Sequence, residues 1–235
     1  MNEDYYAGVY WPARKEPAET CAQRVESLLQ GLGPLDPTWT SWYGTGRTRE
    51  QALKKLLVPR ASTFVQLFSN KKHQLLGGFS LTAWNGEPQG STTGIILKCG
   101  LTSTNVCNSC TLNPPRQGPV AQRLINTEVM TRALRAMALA WEPEWGIATS
   151  HIHRAEVLKA AEPGTFVGWA MYFSRSRGTV PPLPAPVRIE PVEDKGTLVI
   201  LTPERFTATH PAHVALAASI QERLGEAGLL RPLGG

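Results

Sequence analysis

The hydrophobic period of this chain switches repeatedly between helical and extended spacing, and that switching constrains its fold more than any motif does. Ala18, Cys21, Val25, Leu28 and Leu32 recur at three- and four-residue steps, the spacing of one helix face. Pro17 suits the first turn, and Gly31-Leu32-Gly33-Pro34 ends the pattern. Residues 79–84 and 95–99 instead alternate apolar with polar side chains, as a half-buried strand does. Residues 109–112 give a shorter piece of the same kind, with turn residues at 86–90 and 103–108. Three strands with short links predict an antiparallel meander.

Tyr5–Trp11 is aromatic and β-branched and reads as an opening strand. Residues 36–46 read as a loop or short strand carrying Trp39, Trp42 and Tyr43. Thr48-Arg49-Glu50-Gln51 fits a capping box, predicting a helix to about Leu57, with another over 62–68. The longest helical segment spans 119–141, with Val120, Leu124, Thr127, Leu134, Met137 and Trp141 on one face. Asn126-Thr127 offers a break, and Pro143 a stop. Residues 166–173 and 198–201 are nearly all apolar and predict buried central strands. Pro181, Pro182, Pro184, Pro186 and Pro191 stiffen the connection between them. The last helix starts near Pro211, with Leu216, Ile220 and Leu224 as its apolar row and Gly228 as its C-cap. The expected fold class is α+β: mostly antiparallel sheet packed with amphipathic helices. It is one domain over 1–235, with two lobes meeting near residue 115 as the alternative division.

A chain of 235 residues that is 42% hydrophobic has the material for a substantial core. Lys+Arg exceed Asp+Glu by 24 to 19, for a pI near 9.2. The excess reads as spread along the chain, densest at Lys54-Lys55 and Lys71-Lys72, as solvated faces. A nucleic-acid binder shows a basic stripe with interleaved aromatics, so no nucleic-acid partner is expected. The Met1-Asn2-Glu3-Asp4 start carries neither the basic nor the apolar region of a secretory signal. No apolar run reaches the ~18 residues of a membrane span. A cytoplasmic protein with no membrane partner is the expectation. Its four cysteines are then thiols. Cys21 and Cys99 fall on apolar faces, and Cys107-x-x-Cys110 has no second pair with which to complete a zinc site. No cofactor is expected.

His151-x-His153, with Glu142, Glu144 and Glu156 close in sequence, is the best metal-like set. On a strand both imidazoles face one side, which keeps a metal-dependent hydrolase as the alternative function. His210 and His213 flank the start of the last helix, and a pairing with Cys107 or Cys110 stays open. Neither GxSxG nor GxxxxGK[ST] occurs. Glu142-Pro143-Glu144 reads either as an acid/base pair or, more simply, as a solvated corner. Tryptophan concentrates in cores and at binding hot spots, and of the seven here Trp42 and Trp145 fall in predicted loops as interface anchors. The residues alone describe a binder more than an enzyme.

Several segments, in order, resemble one family. They are Tyr5-Tyr6-Ala7-Gly8-Val9-Tyr10-Trp11, then Arg14-Lys15-Glu16 and a helix starting Ala18-Glu19, and Gly78-Phe79-Ser80-Leu81 with Trp84-Asn85-Gly86. Ala138-Leu139-Ala140-Trp141-Glu142-Pro143-Glu144-Trp145-Gly146, Val167-Gly168-Trp169 and the stretch from Gly196 to Phe206 follow. Together they are similar to immunity protein 52 of bacterial polymorphic toxin systems, with Pro12 standing where a small residue is expected. The resemblance implies a non-enzyme that neutralises a cognate toxin. The toxin of such systems is typically a nuclease of the restriction-endonuclease fold, delivered by type VI or similar secretion. No catalytic residue carries over. The candidate toxin-binding residues, read from the residues themselves, are Trp42, Tyr43, Glu142, Glu144, Trp145, Glu193 and Asp194, with Glu190 in the acidic set. Acidic groups there would complement a nuclease's basic rim, although a net charge of +5 speaks against wholesale mimicry of DNA.

Overall fold

A computed structural model describes residues 3–157 and 162–234. Met1 and Asn2, which open the acidic start, lie outside the described residues. Ten strands build one antiparallel sheet: β1 (Tyr5–Trp11), β2 (Tyr43–Gly44), β3 (Gln74–Leu75), β4 (Gly78–Trp84), β5 (Gly94–Cys99), β6 (Asn108–Asn113), β7 (Trp145–Ser150), β8 (Ala170–Ser174), β9 (Arg188–Val192) and β10 (Gly196–Ile200). Their order is β2-β4-β5-β6-β1-β7-β8-β10-β9, with β3 also pairing to β4. The helices are α1 (Ala18–Leu32), α2 (Arg49–Leu53), α3 (Ala61–Phe68), α4 (Pro119–Leu124), α5 (Thr127–Trp141), α6 (His151–Val157) and α7 (Pro211–Glu226). The α+β class and the β4-β5-β6 meander are as the periodicity predicts.

Strand alternation sorts the sheet into two faces. Val9, Cys110, Leu97 and Leu81 lie in register across β1, β6, β5 and β4 and are all buried. This face carries α1 and α5. Trp11 stacks on Trp141 of α5 at 5.2 Å. A side chain at Gly146 would press on Val9 and on Leu134 of α5, so glycine there lets the helix seat on β7. The second face is covered unevenly. Over β7, Phe166 packs edge-on against Trp145 at 5.1 Å, and Gln221 of α7 accepts the Val167 N–H. Over β4 and β5 the same face is open, with Thr82 and Ile96 exposed.

The break within 119–141 falls as predicted. The Asn126 side chain accepts from the Val129 N–H and caps α5. Other expectations need correcting. Trp145 opens β7 and does not lie in a loop; it pairs with Tyr10 on one side and Phe173 on the other. Every residue of β7 is buried, so Trp-Gly-Ile-Ala-Thr-Ser carries no alternation to read. His151-x-His153 is helical, in α6. The strand predicted over 166–173 begins only at Ala170. α2 ends at Leu53, short of Leu57, because the Leu57 N–H donates to the Trp42 carbonyl. β9 was hidden in the proline-rich connection. It is an edge strand, where Pro191 costs no ladder bond.

Candidate functional site

The structure separates the predicted contact residues into two places. Trp42 and Tyr43 sit beside the β4 edge. Asp36 anchors that loop: it accepts from the Thr38 N–H at 2.9 Å and binds Arg123 of α4 through two bonds. Burial pushes the Asp36 carboxyl up, but Arg123 and Thr38 prevail and hold it below the usual range. Trp42 is fully buried, its indole N–H on the Trp39 carbonyl at 2.9 Å. Trp145 is buried too. Neither tryptophan presents surface to a partner as it stands, which corrects their placement as loop anchors. Tyr43 is half-buried and tilted against Trp84.

The acidic residues gather at the far end, where α5 stops. Glu142 ends that helix in the left-handed conformation, with φ 46°. Its carboxylate accepts from Arg24 at 3.0 Å and from Lys195 at 2.7 Å. The Lys195 bond, against some burial and aided by Arg24, holds the Glu142 carboxyl below its ordinary range. Arg24 also binds buried Glu16, and Arg14 and Arg24 donate to the carbonyls of Ala140, Trp141 and Glu142. Two cations thus satisfy carbonyls that a helix C-terminus leaves free. Glu144 turns away across buried Pro143 and pairs with Arg177, whose side chain is 0% exposed. The acid/base reading of Glu142 and Glu144 therefore finds no shared proton, since each holds its own cation. Glu190 pairs with Arg135. Glu193 and Asp194 are exposed in the β9–β10 turn, with Asp194 3.9 Å from Lys195.

The two histidines of the metal-like set diverge. His151 stacks on Tyr6 at 4.8 Å, while His153 is buried, 3.0 Å from the Val167 carbonyl and edge-on to Phe206. On one helix turn two residues apart they point about 200° from each other. Among the described residues no three His, Cys, Asp or Glu groups gather to hold a metal. His213 accepts from the Thr207 N–H and lies 3.0 Å from Glu204, fastening the start of α7. Cys110 is buried and its thiol, pushed up to about 12 by burial, neighbours Trp141. Among the described residues no hydrogen bond brings Cys107 or Cys110 to His210 or His213.

The sequence matches the family model described as Immunity protein 52 over residues 3–233. The chain belongs to that family. A comparison with curated proteins gives no match. Among solved structures, the Pseudomonas aeruginosa T6SS protein PA0821 is similar at TM-score 0.55 and 14% identity, covering 94% of this chain and 76% of that one. At that identity the likeness is one of fold.

In this immunity protein a groove lies where the sequence reading placed only solvated lysines. A groove of about 570 Å³ runs between α3 and β4, over Leu56, Leu57 and Leu67, with Thr63 and Gln66 on α3 and Asn70 just after it. Lys55 and Lys72 rim it. Between Arg47 and Lys72 the chain holds seven Lys and Arg against one acid, Glu50. The excess that reads as spread along the chain, densest at Lys54-Lys55 and Lys71-Lys72, is concentrated here: the whole-chain excess is +5, and this segment alone accounts for it. The signal was present as a local count and was lost by averaging over the chain.

Proposed function

We propose that this immunity protein neutralises a cognate toxin by sealing its working cleft in a stable one-to-one complex, with no reaction of its own. The observation that carries this reading is the family match over nearly the whole chain. A nuclease toxin delivered by type VI secretion is the finer form. It is supported by the family resemblance and by the fold shared with a T6SS protein. A nuclease meets its substrate in the cytosol, so that is where the encounter is placed. A stable inhibitory contact buries about 1,600 Å². Of the residues picked from sequence, Tyr43, Glu193 and Asp194 have surface to contribute. Glu142 contributes through its exposed edge, while Trp42, Glu144 and Trp145 act as framework beneath.

The test is co-expression with the toxin encoded beside this gene. Growth should be restored, and the purified toxin should lose activity on titration to one equivalent. Undiminished killing in the presence of abundant folded immunity protein, for every neighbouring toxin, would refute the reading.

A further inference from the structure

We propose that an acidic, extended segment of the toxin docks in the groove between α3 and β4, adding its backbone to the open stretch of that sheet edge. The inference rests on the reading of this chain as a toxin binder and names where and how it binds.

Three observations converge on the groove. The first is charge without partners. Among the described residues, Arg14, Arg24, Arg116, Arg123, Arg132, Arg135, Arg177, Arg188 and Lys195 each have a carboxylate within ion-pair distance. None of the seven cations from Arg47 to Lys72 makes such a pair. Of these, Lys55 and Lys72 stand at the groove, and a carboxylate-bearing partner would complement their charge.

The second is backbone. β2 pairs with Ala83 and Trp84, and β3 pairs with Gly78 and Phe79. Ser80, Leu81 and Thr82 pair with β5 on one side, have no strand beside them on the other, and line the groove. The side chain of His73 takes up the Ser80 carbonyl at 3.0 Å. An interrupted edge of this kind accepts a short added strand, whose main chain gives affinity while side-chain pockets give specificity.

The third is the floor. Leu56, 52% exposed, lines the groove with Leu67 and offers apolar area to a bound peptide. The lining holds no Trp, Tyr or Phe, so a nucleic-acid strand would find a basic rim but no flat platform on which to stack its bases. An acidic polypeptide fits all three features.

The experiment measures binding of purified toxin by calorimetry at 50 and 300 mM NaCl. It uses the wild-type chain, a Lys55→Glu/Lys72→Glu variant and a charge-matched control, Lys15→Glu/Arg223→Glu, built on exposed residues away from the groove. Circular dichroism melts verify folding of each. The groove variant should bind about 100-fold more weakly, since like-charge contacts cost several kcal/mol. Wild-type affinity should fall with salt, and the control should bind as wild type does. If wild type binds toxin and the folded groove variant binds within about threefold of it, the groove inference is wrong and the immunity reading stands. If wild type binds no toxin, the immunity reading fails and takes the groove with it. A labelled single-stranded oligonucleotide serves as the other probe. Its binding by wild type and loss in the groove variant, with toxin affinity unchanged, would also overturn the proposal.

Discussion

At the β9–β10 end of the sheet, Arg14, Arg24 and Lys195 are shared among Glu16, Glu142 and Asp194, and Arg177 is enclosed with Glu144. At the β4 end, cations in comparable density have no carboxylate beside them. The two ends are made from the same residue types and use them differently. One spends its charge inward, tying the C-terminus of α5 to the strands around it. The other holds its charge outward, above an interrupted edge. Of the acidic residues chosen for their sequence clustering, Glu142, Glu144 and Glu190 hold structural ion pairs, while Glu193 and Asp194 stay exposed.

Six substitutions at five positions test that contrast. Glu144→Ala should cost the most, about 3 kcal/mol, because it strands a guanidinium that is 0% exposed. Urea denaturation followed by tryptophan fluorescence measures it. Asp36→Asn removes the charge that Arg123 grips and should cost about 2 kcal/mol, near the value of a charged hydrogen bond. Its loss should also loosen the Trp39–Trp42 loop, visible as faster amide exchange there. Glu142→Ala should cost about 1 kcal/mol, reduced by solvent screening because the side chain is 40% exposed. Glu142→Gly should cost less, since glycine relieves the left-handed backbone at that position. The Glu142 carboxyl is held below its unfolded value of 4.5, so its contribution is present above that pH and drains away as pH falls through the lower, folded value. The Ala variant should show a flatter stability profile in that range. Lys55→Ala and Lys72→Ala should be the mildest, each within about 0.5 kcal/mol of wild type. A cost near that of Glu144→Ala would mean that the β4 end also uses its charge for cohesion, and the contrast would collapse.

Much of this fold is legible in the sequence because most elements bury one side only. α1, α5, β4 and β5 each alternate between a wet and a dry face, so their periods survive in the residue order. β7 is dry on both faces and has no period to show, and Trp145 was misplaced for that reason. β9 carries Pro191, which argues against a strand unless its edge position is known. The site is less legible, since ion pairing is long-range. Nothing within Glu142-Pro143-Glu144 reveals that Arg24, Lys195 and Arg177 come to meet it from distant parts of the chain. The basic segment is the reverse case. It is local, and a windowed count would have found it.

The first of the described strands is also the middle one of the sheet. β1 lies between β6 and β7, whose residues are synthesised about 100 and 140 positions later. Until the ribosome has delivered both, the two halves of the sheet have no seam to join them. A chain wired this way can close its sheet only once most of its length is in hand.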